Sequence, residues 1–293
     1  MPLFEYISSN LPAAITVAGT LGLLIGSFLN VVIYRLPIMM EREWSQQCQT
    51  LLNPDEAEQT EEDVPPFNLV TPNSRCPSCK TEIKPWQNIP VISYLMLGGK
   101  CRHCKTPISK RYPIIELATG LLSCLVIWHF GFNWQGGAML LLTWALISLT
   151  MIDIDHQLLP DNITLPFLWL GLIANSFGLF VSLPEALWGA VFGYLSLWSV
   201  YWLFKLVTGK EGMGYGDFKL LAVLGAWFGW KLLPMIILLS SLVGAIIGIF
   251  LLILKNKGKS VPIPFGPYLA IAGFIAALWG EQITNFYLTY AGL

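Results

Sequence analysis

The chain has 293 residues, of which 55% are apolar and only 12% charged, with a mean hydropathy of +0.61. Soluble domains carry roughly 25% charged residues, so this composition excludes an ordinary soluble globular fold and predicts a membrane protein. A net charge of -1 gives no reason to expect a nucleic-acid partner.

Apolar stretches of about 20 residues, enough to cross a bilayer, fall near 12–35, 114–132, 136–152, 163–182, 185–207, 217–231, 234–254 and 267–289. The expected fold is an all-α polytopic membrane protein of about eight transmembrane helices, with a small zinc-binding cytoplasmic module between the first and second. The first apolar run lacks a basic region before it and reads as a retained span, not a cleaved signal. No internal repeat is evident. The chain divides into three regions: a first span (1–35), a polar region (36–112) and a seven-span core (113–293).

In the polar region, residues 46–72 carry Asp55, Glu56, Glu58, Glu61, Glu62 and Asp63 and read as a solvated linker. From Ser74 onward lie two tight pairs, Cys76-Pro77-Ser78-Cys79 and Cys101-Arg102-His103-Cys104. Four thiolates at this spacing suit a tetrahedral Zn²⁺ of structural type, because no coordination position stays open. His103 is then a neighbour and not a ligand. Cys124 reads as a buried span residue and Cys48 has no evident role. Between the pairs, residues 84–100 combine prolines with apolar residues and should lie against the bilayer or the helix bundle. Gly98-Gly99 is a turn.

Lys and Arg fix the orientation. If 36–112 is cytoplasmic, alternation of the spans puts every positive residue except Lys231 on that side. The loops at 153–162 and 208–216 then share the cytoplasmic face. Both hold acids at a span edge: Asp153, Asp155 and Asp161 in one, and Asp217 of Gly214-Tyr215-Gly216-Asp217 in the other. Ionisable residues at such positions are costly and read as functional. Two carboxylates within hydrogen-bonding reach can share a proton and act as acid and base around a water, the chemistry of an aspartic protease. Gly214 and Gly216 would leave room for a backbone beside Asp217. Asp161-Asn162 reads more simply as a helix N-cap, and Asp155 and His156 as wet loop residues. Two other chemistries fit the same acids: an Mg²⁺-dependent phosphoryl or prenyl transferase, and a proton-coupled transporter.

Taken together, several motifs resemble one family, the bacterial type IV prepilin peptidases, which belong to the Gly-x-Gly-Asp intramembrane aspartyl proteases. They are the run at 26–37 (Gly26-Ser27-Phe28-Leu29-Asn30 through Arg35-Leu36-Pro37), the cysteine module with Asn88-Ile89-Pro90-Val91, and Tyr112-Pro113-Ile114-Ile115-Glu116-Leu117. The Asp153 cluster and Gly214-Tyr215-Gly216-Asp217-Phe218-Lys219 complete the set. The resemblance implies that Asp153 and Asp217 are the catalytic pair of an inner-membrane enzyme. It implies that prepilins and type II secretion pseudopilins lose a short basic leader at the cytoplasmic face. It further implies that the new N-terminal residue is methylated from S-adenosylmethionine, with the turn Gly98, Gly99 and Lys100 tied to that second activity. No Gly-x-Gly-x-x-Gly signature for this methyl donor is present.

Overall fold

A computed structural model describes residues 3–52, 66–255 and 264–291. Its helices are α1 (Leu3–Ser9), α2 (Leu11–Leu52), α3 (Ile92–Met96), α4 (Arg111–Phe130), α5 (Trp134–His156), α6 (Asp161–Ser176), α7 (Leu183–Thr208), α8 (Tyr215–Phe228), α9 (Leu233–Lys255) and α10 (Gly266–Ala291). Among the described residues, β structure is limited to two isolated antiparallel bridges. Each predicted span coincides with a helix. Among the described residues, five helical segments are long and apolar enough to cross a membrane: α2, α4, α5, α7 and the stretch Trp230–Phe250 that contains most of α9. The chain forms two compact units, Met1–Trp128 and His129–Leu293.

In the first unit, α2 does not stop where the lipid-compatible stretch ends near residue 35. It runs for 42 residues, to Leu52, with Pro37 inside it. At 1.5 Å per residue that is about 63 Å, twice a hydrocarbon core. Hydropathy marks where apolar residues stop. The next residues (Met39, Met40, Glu41, Arg42, Glu43) are good helix formers, so the helix continues into water. The acids expected in the linker, Asp55 to Asp63, lie outside the described residues. α2 meets α4 at very short range through glycines. A Cβ on Gly22 would sit 2.9 Å from the Gly120 Cα, and one on Gly26 2.7 Å from the Glu116 Cα. Small residues let two membrane helices bring their backbones together.

In the second unit, α8 is the centre. From Asp217 to Phe228 every residue but Lys219 is buried. The segment is therefore a core helix and not a lipid-facing span, which is why its 14 residues suffice. α7 lies directly on it: a Cβ on Gly189 would be 2.1 Å from the Gly225 carbonyl oxygen, and one on Gly193 2.6 Å from the Leu221 oxygen. Asn175, 2% exposed at the end of α6, closes the far end of α8. Its amide donates to the Ala226 and Trp227 carbonyls at 2.8 and 3.0 Å. These are among the last carbonyls of a helix, which have no partner within it. Its oxygen accepts from the Phe180 and Val181 N–H groups. The Trp227 indole N–H donates to the Phe167 carbonyl at 2.8 Å. Helix α8 ends at Gly229, in the left-handed region at φ 77°.

Candidate active site and metal centre

Asp153 and Asp217 are both buried, 5% and 6% exposed, at the same end of the second unit. Asp153 is in the last turn of α5, which closes with Gln157 in the left-handed conformation, its N–H bonded to the Asp153 carbonyl. Asp217 is in the first turn of α8, three residues after the extended N-cap Gly214. The two carboxylates are close enough to interact electrostatically. One Asp153 oxygen accepts from the Gly266 N–H at 3.0 Å, so the start of α10 also converges here. A Cβ on Gly266 would strike that carboxylate at 2.6 Å.

The two glycines of the motif do different things. A Cβ on Gly216 would meet the Leu159 side chain at 2.7 Å, so its space is filled by the loop between α5 and α6. A Cβ on Gly214 would meet nothing nearer than an Asp217 oxygen at 3.8 Å, so the space beside the carboxylate opens on that side. Asp155 and His156 are exposed. The N-cap of α6 is Pro160, not Asp161. Asp161 instead takes the Lys219 ammonium between both its oxygens at 2.7 Å, tying the start of α6 to the first turn of α8. Lys219, two residues beyond Asp217, stands within a quoted motif, but sequence reading gave it no role. Sequence reading also missed Tyr201, 2% exposed, whose ring meets Tyr215 at a tilt and Phe218 edge-on. The Lys205 ammonium joins the Tyr201 hydroxyl to Glu211 and holds the loop that leads into Asp217.

The four cysteines of the first unit form one cluster. The Sγ atoms of Cys76, Cys79, Cys101 and Cys104 all lie within 4.8 Å of one another, and those of Cys76 and Cys104 are 3.8 Å apart. A tetrahedron with Zn–S bonds of about 2.3 Å has S–S edges of about 3.8 Å, so the donor set fits a zinc-sized ion. Each pair is a tight knuckle. The Cys76 N–H bonds the Thr81 carbonyl, and the Cys101 N–H the Thr106 carbonyl. Lys80 and Lys105 occupy the same left-handed position after each pair, at φ 57° and 60°. The bridges Arg75 to Glu82 and Lys100 to Pro107 close both turns. Here the expectation of no internal repeat fails: Cys-x-x-Cys-Lys-Thr-x-Ile occurs at 76–83 and again at 101–108. The repeat is too short to stand out against the apolar spans. The Thr106 hydroxyl, 3.2 Å from Cys104, holds that thiol down at about 6. Thr81 lowers Cys79 in the same way. Hydroxyls placed so favour thiolates, the form that binds metal. Cys124 reaches the Ile15 carbonyl between α2 and α4, and Cys48 is exposed.

Between the knuckles, residues 85–88 form a single 3₁₀ turn and α3 comes next. Gly98 and Gly99 are both left-handed, at φ 60° and 67°. Gly99 packs beneath the Tyr94 ring, whereas a Cβ on Gly98 would meet nothing within 4 Å. The turn is therefore anchored on one side and open on the other. Two buried charges of this unit also escaped notice as sites. Arg35, 7% exposed, donates to the Asn68 and Pro72 carbonyls at 2.9 and 2.6 Å and clamps the returning loop onto α2. Glu116, equally buried, reaches the module at Val91.

Comparison with known proteins agrees with this division. The profile of the bacterial peptidase A24 N-terminal domain matches residues 20–130, and that of the type IV leader peptidase family matches residues 140–249. A Pseudomonas aeruginosa protein is 64% identical over 100% of this chain and 99% of its own length. A Stutzerimonas stutzeri protein is 63% identical over 99% of each. An Aeromonas hydrophila protein is 60% identical over 91% of each. All three are named prepilin leader peptidase/N-methyltransferase. No solved structure matches the chain. These relatives give no support to a phosphoryl or prenyl transferase or to a transporter.

Proposed function

The chain belongs to the type IV leader peptidase family, and on that premise we propose that it removes the basic leader of type IV prepilins and type II secretion pseudopilins and then N-methylates the residue it exposes. The observation that carries the first step is the pair of buried carboxylates, Asp153 and Asp217, at the same end of one helical unit. In this reading the pair shares one proton. The ionised member takes a proton from water, and the oxygen attacks the scissile carbonyl. The protonated member hydrogen-bonds the developing oxyanion, and the amine leaves with a proton. The products are a leader carboxylate and a new N-terminal amine. The extended substrate backbone would enter past Gly214, the open side of Asp217. Lys219, through Asp161, would hold the first turn of α8 against the start of α6.

For the second step, bound S-adenosylmethionine would supply an electrophilic methyl group; its C–S bond would break as the new amine takes the methyl and gives up a proton, and the thioether would leave. The turn of Gly98, Gly99 and Lys100, open at Gly98, is the segment we assign to it. The four-cysteine cluster would hold a structural Zn²⁺, closed by thiolates on all sides. The enzyme would sit in the cell inner membrane with the aspartates toward the cytoplasm, where the positive loops and the leader both lie. Mass spectrometry of a co-expressed prepilin tests the whole reading. Parent enzyme should yield a pilin shortened by its leader and carrying one methyl. Asp153→Asn and Asp217→Asn should each lower cleavage by at least about a hundredfold, the usual range for losing an acid–base group. Cleavage at the parent rate by either variant refutes the assignment of the pair.

A further inference from the structure

Three of the motifs that carried the family resemblance have no part in the two-aspartate site: the α2 run at 26–37, Asn88-Ile89-Pro90-Val91, and the start of α4. The structure brings them together. The Asn30 amide donates to the Tyr112 carbonyl at 3.2 Å, and Gly26 lies against the Glu116 backbone. The Glu116 carboxylate accepts the Val91 N–H at 2.8 Å, and the Ser27 side chain also bonds it. A carboxylate buried inside a membrane-spanning helix is costly and marks function by default.

Val91 itself is strained. It sits at φ 59° and ψ -47°, a genuine outlier for a β-branched residue. Strain of this kind persists only where the surroundings over-determine it. From Val91 onward the chain forms a short arc held by successive backbone hydrogen bonds. Val91 is the N-cap of α3, and α3 runs into Gly98 and Gly99. The Gly99 N–H bonds the Tyr94 carbonyl, and the Gly99 carbonyl accepts from Ile108 of the second knuckle. The arc is thus fixed at one end by the cysteine cluster and at the other by Glu116.

We propose that Glu116 is a positioning residue for methyl transfer: it pins Val91, and through α3 sets the place of the Gly98, Gly99 and Lys100 turn. The proposal rests on the assignment of that turn to methylation. It needs Glu116 as a hydrogen-bond acceptor and not as a charge. It also predicts that the helix pairing survives truncation, because Gly26 meets the Glu116 Cα and not its carboxylate.

The test uses the full chain in detergent or vesicles, with prepilin for cleavage and pre-cleaved pilin for methylation. Glu116→Ala should cleave at the parent rate and keep the parent metal content, while methylation falls by about tenfold, as expected when a part-buried N–H held in a strained turn loses its carboxylate acceptor. Glu116→Gln keeps an acceptor oxygen and should restore most of the methylation. Parent-level methylation by Glu116→Ala overturns the proposal. So does Glu116→Gln failing as badly as Glu116→Ala, which would assign the effect to charge. Loss of cleavage or metal in step with methylation overturns it as well, in favour of a purely structural role. If the parent chain cleaves but never methylates, it is the underlying functional reading that falls.

Discussion

Replacing Asn175 by Ala removes one side chain that satisfies four backbone groups at once: two carbonyls at the end of α8 and the N–H groups of Phe180 and Val181. Asn175 is 2% exposed, so water cannot take its place without opening the bundle. An orphaned buried group costs about 1–3 kcal/mol. With partial relaxation of the loop, four such groups put the loss on the order of 4 kcal/mol. For a unit of this size each kcal/mol moves the melting temperature by about 2–4 °C, so thermal unfolding in detergent should shift by about 10 °C. Asn175→Asp is the sharper variant. Its carboxylate still accepts from both N–H groups but faces two carbonyl oxygens with no proton to offer, so it should be no more stable than Asn175→Ala. Asp217 lies at the opposite end of α8. Well below the melting point, the folded fraction of either variant should therefore cleave near the parent rate. A melting shift under about 2 °C for Asn175→Ala, or an Asn175→Asp protein as stable as the parent, would refute the capping argument.

Three further outcomes can be checked. Cys76→Ser should lower bound metal below the parent level by elemental analysis, and chelators should strip the cluster without competing directly with the aspartates. In metal-free protein, Thr106→Val removes the hydroxyl that holds Cys104 down at about 6. Its thiol should rise toward the ordinary range, leave less thiolate at neutral pH and slow alkylation of Cys104; an unchanged rate would remove the hydroxyl from the account. The half-exposed Lys219–Asp161 pair is worth about 1 kcal/mol or less in stability. Its value should appear in cleavage instead, where Asp161→Asn, Lys219→Met and the double variant should lose equally. Additive losses would show that the two residues act separately.

The sequence reading found what periodicity and chemistry make local. Asp217 and the acids at 153–161 stood out because they lie at the edges of apolar runs, with Asp153 taken from among them by the family resemblance, and the four cysteines because paired thiols at short spacing have few other uses. It also found the eight helical segments, but not the end of the first, since apolar character measures lipid contact and α2 outlasts it. The parts that stayed hidden depend on distant partners. Asn175 looks like any polar residue at the end of a span until α8 presents its last carbonyls to it. Leu159 and Gly266 acquire a role only because Gly216 and Asp153 come to meet them. Glu116 and Arg35 were quoted within motifs yet not weighed as buried charges within or at the end of a span, although the cost of such a charge is itself a signal.

The burial of α8 has a consequence for where this enzyme can work. Its 14 residues span roughly 21 Å, well short of a hydrocarbon core. A helix of that length facing lipid would thin the bilayer around it or tilt its neighbours, and its geometry would track membrane thickness. Enclosed by protein, α8 feels no such mismatch. The longer helices, α5 with Asp153 among them, meet the variation, while the helix that carries Asp217 is insulated from it.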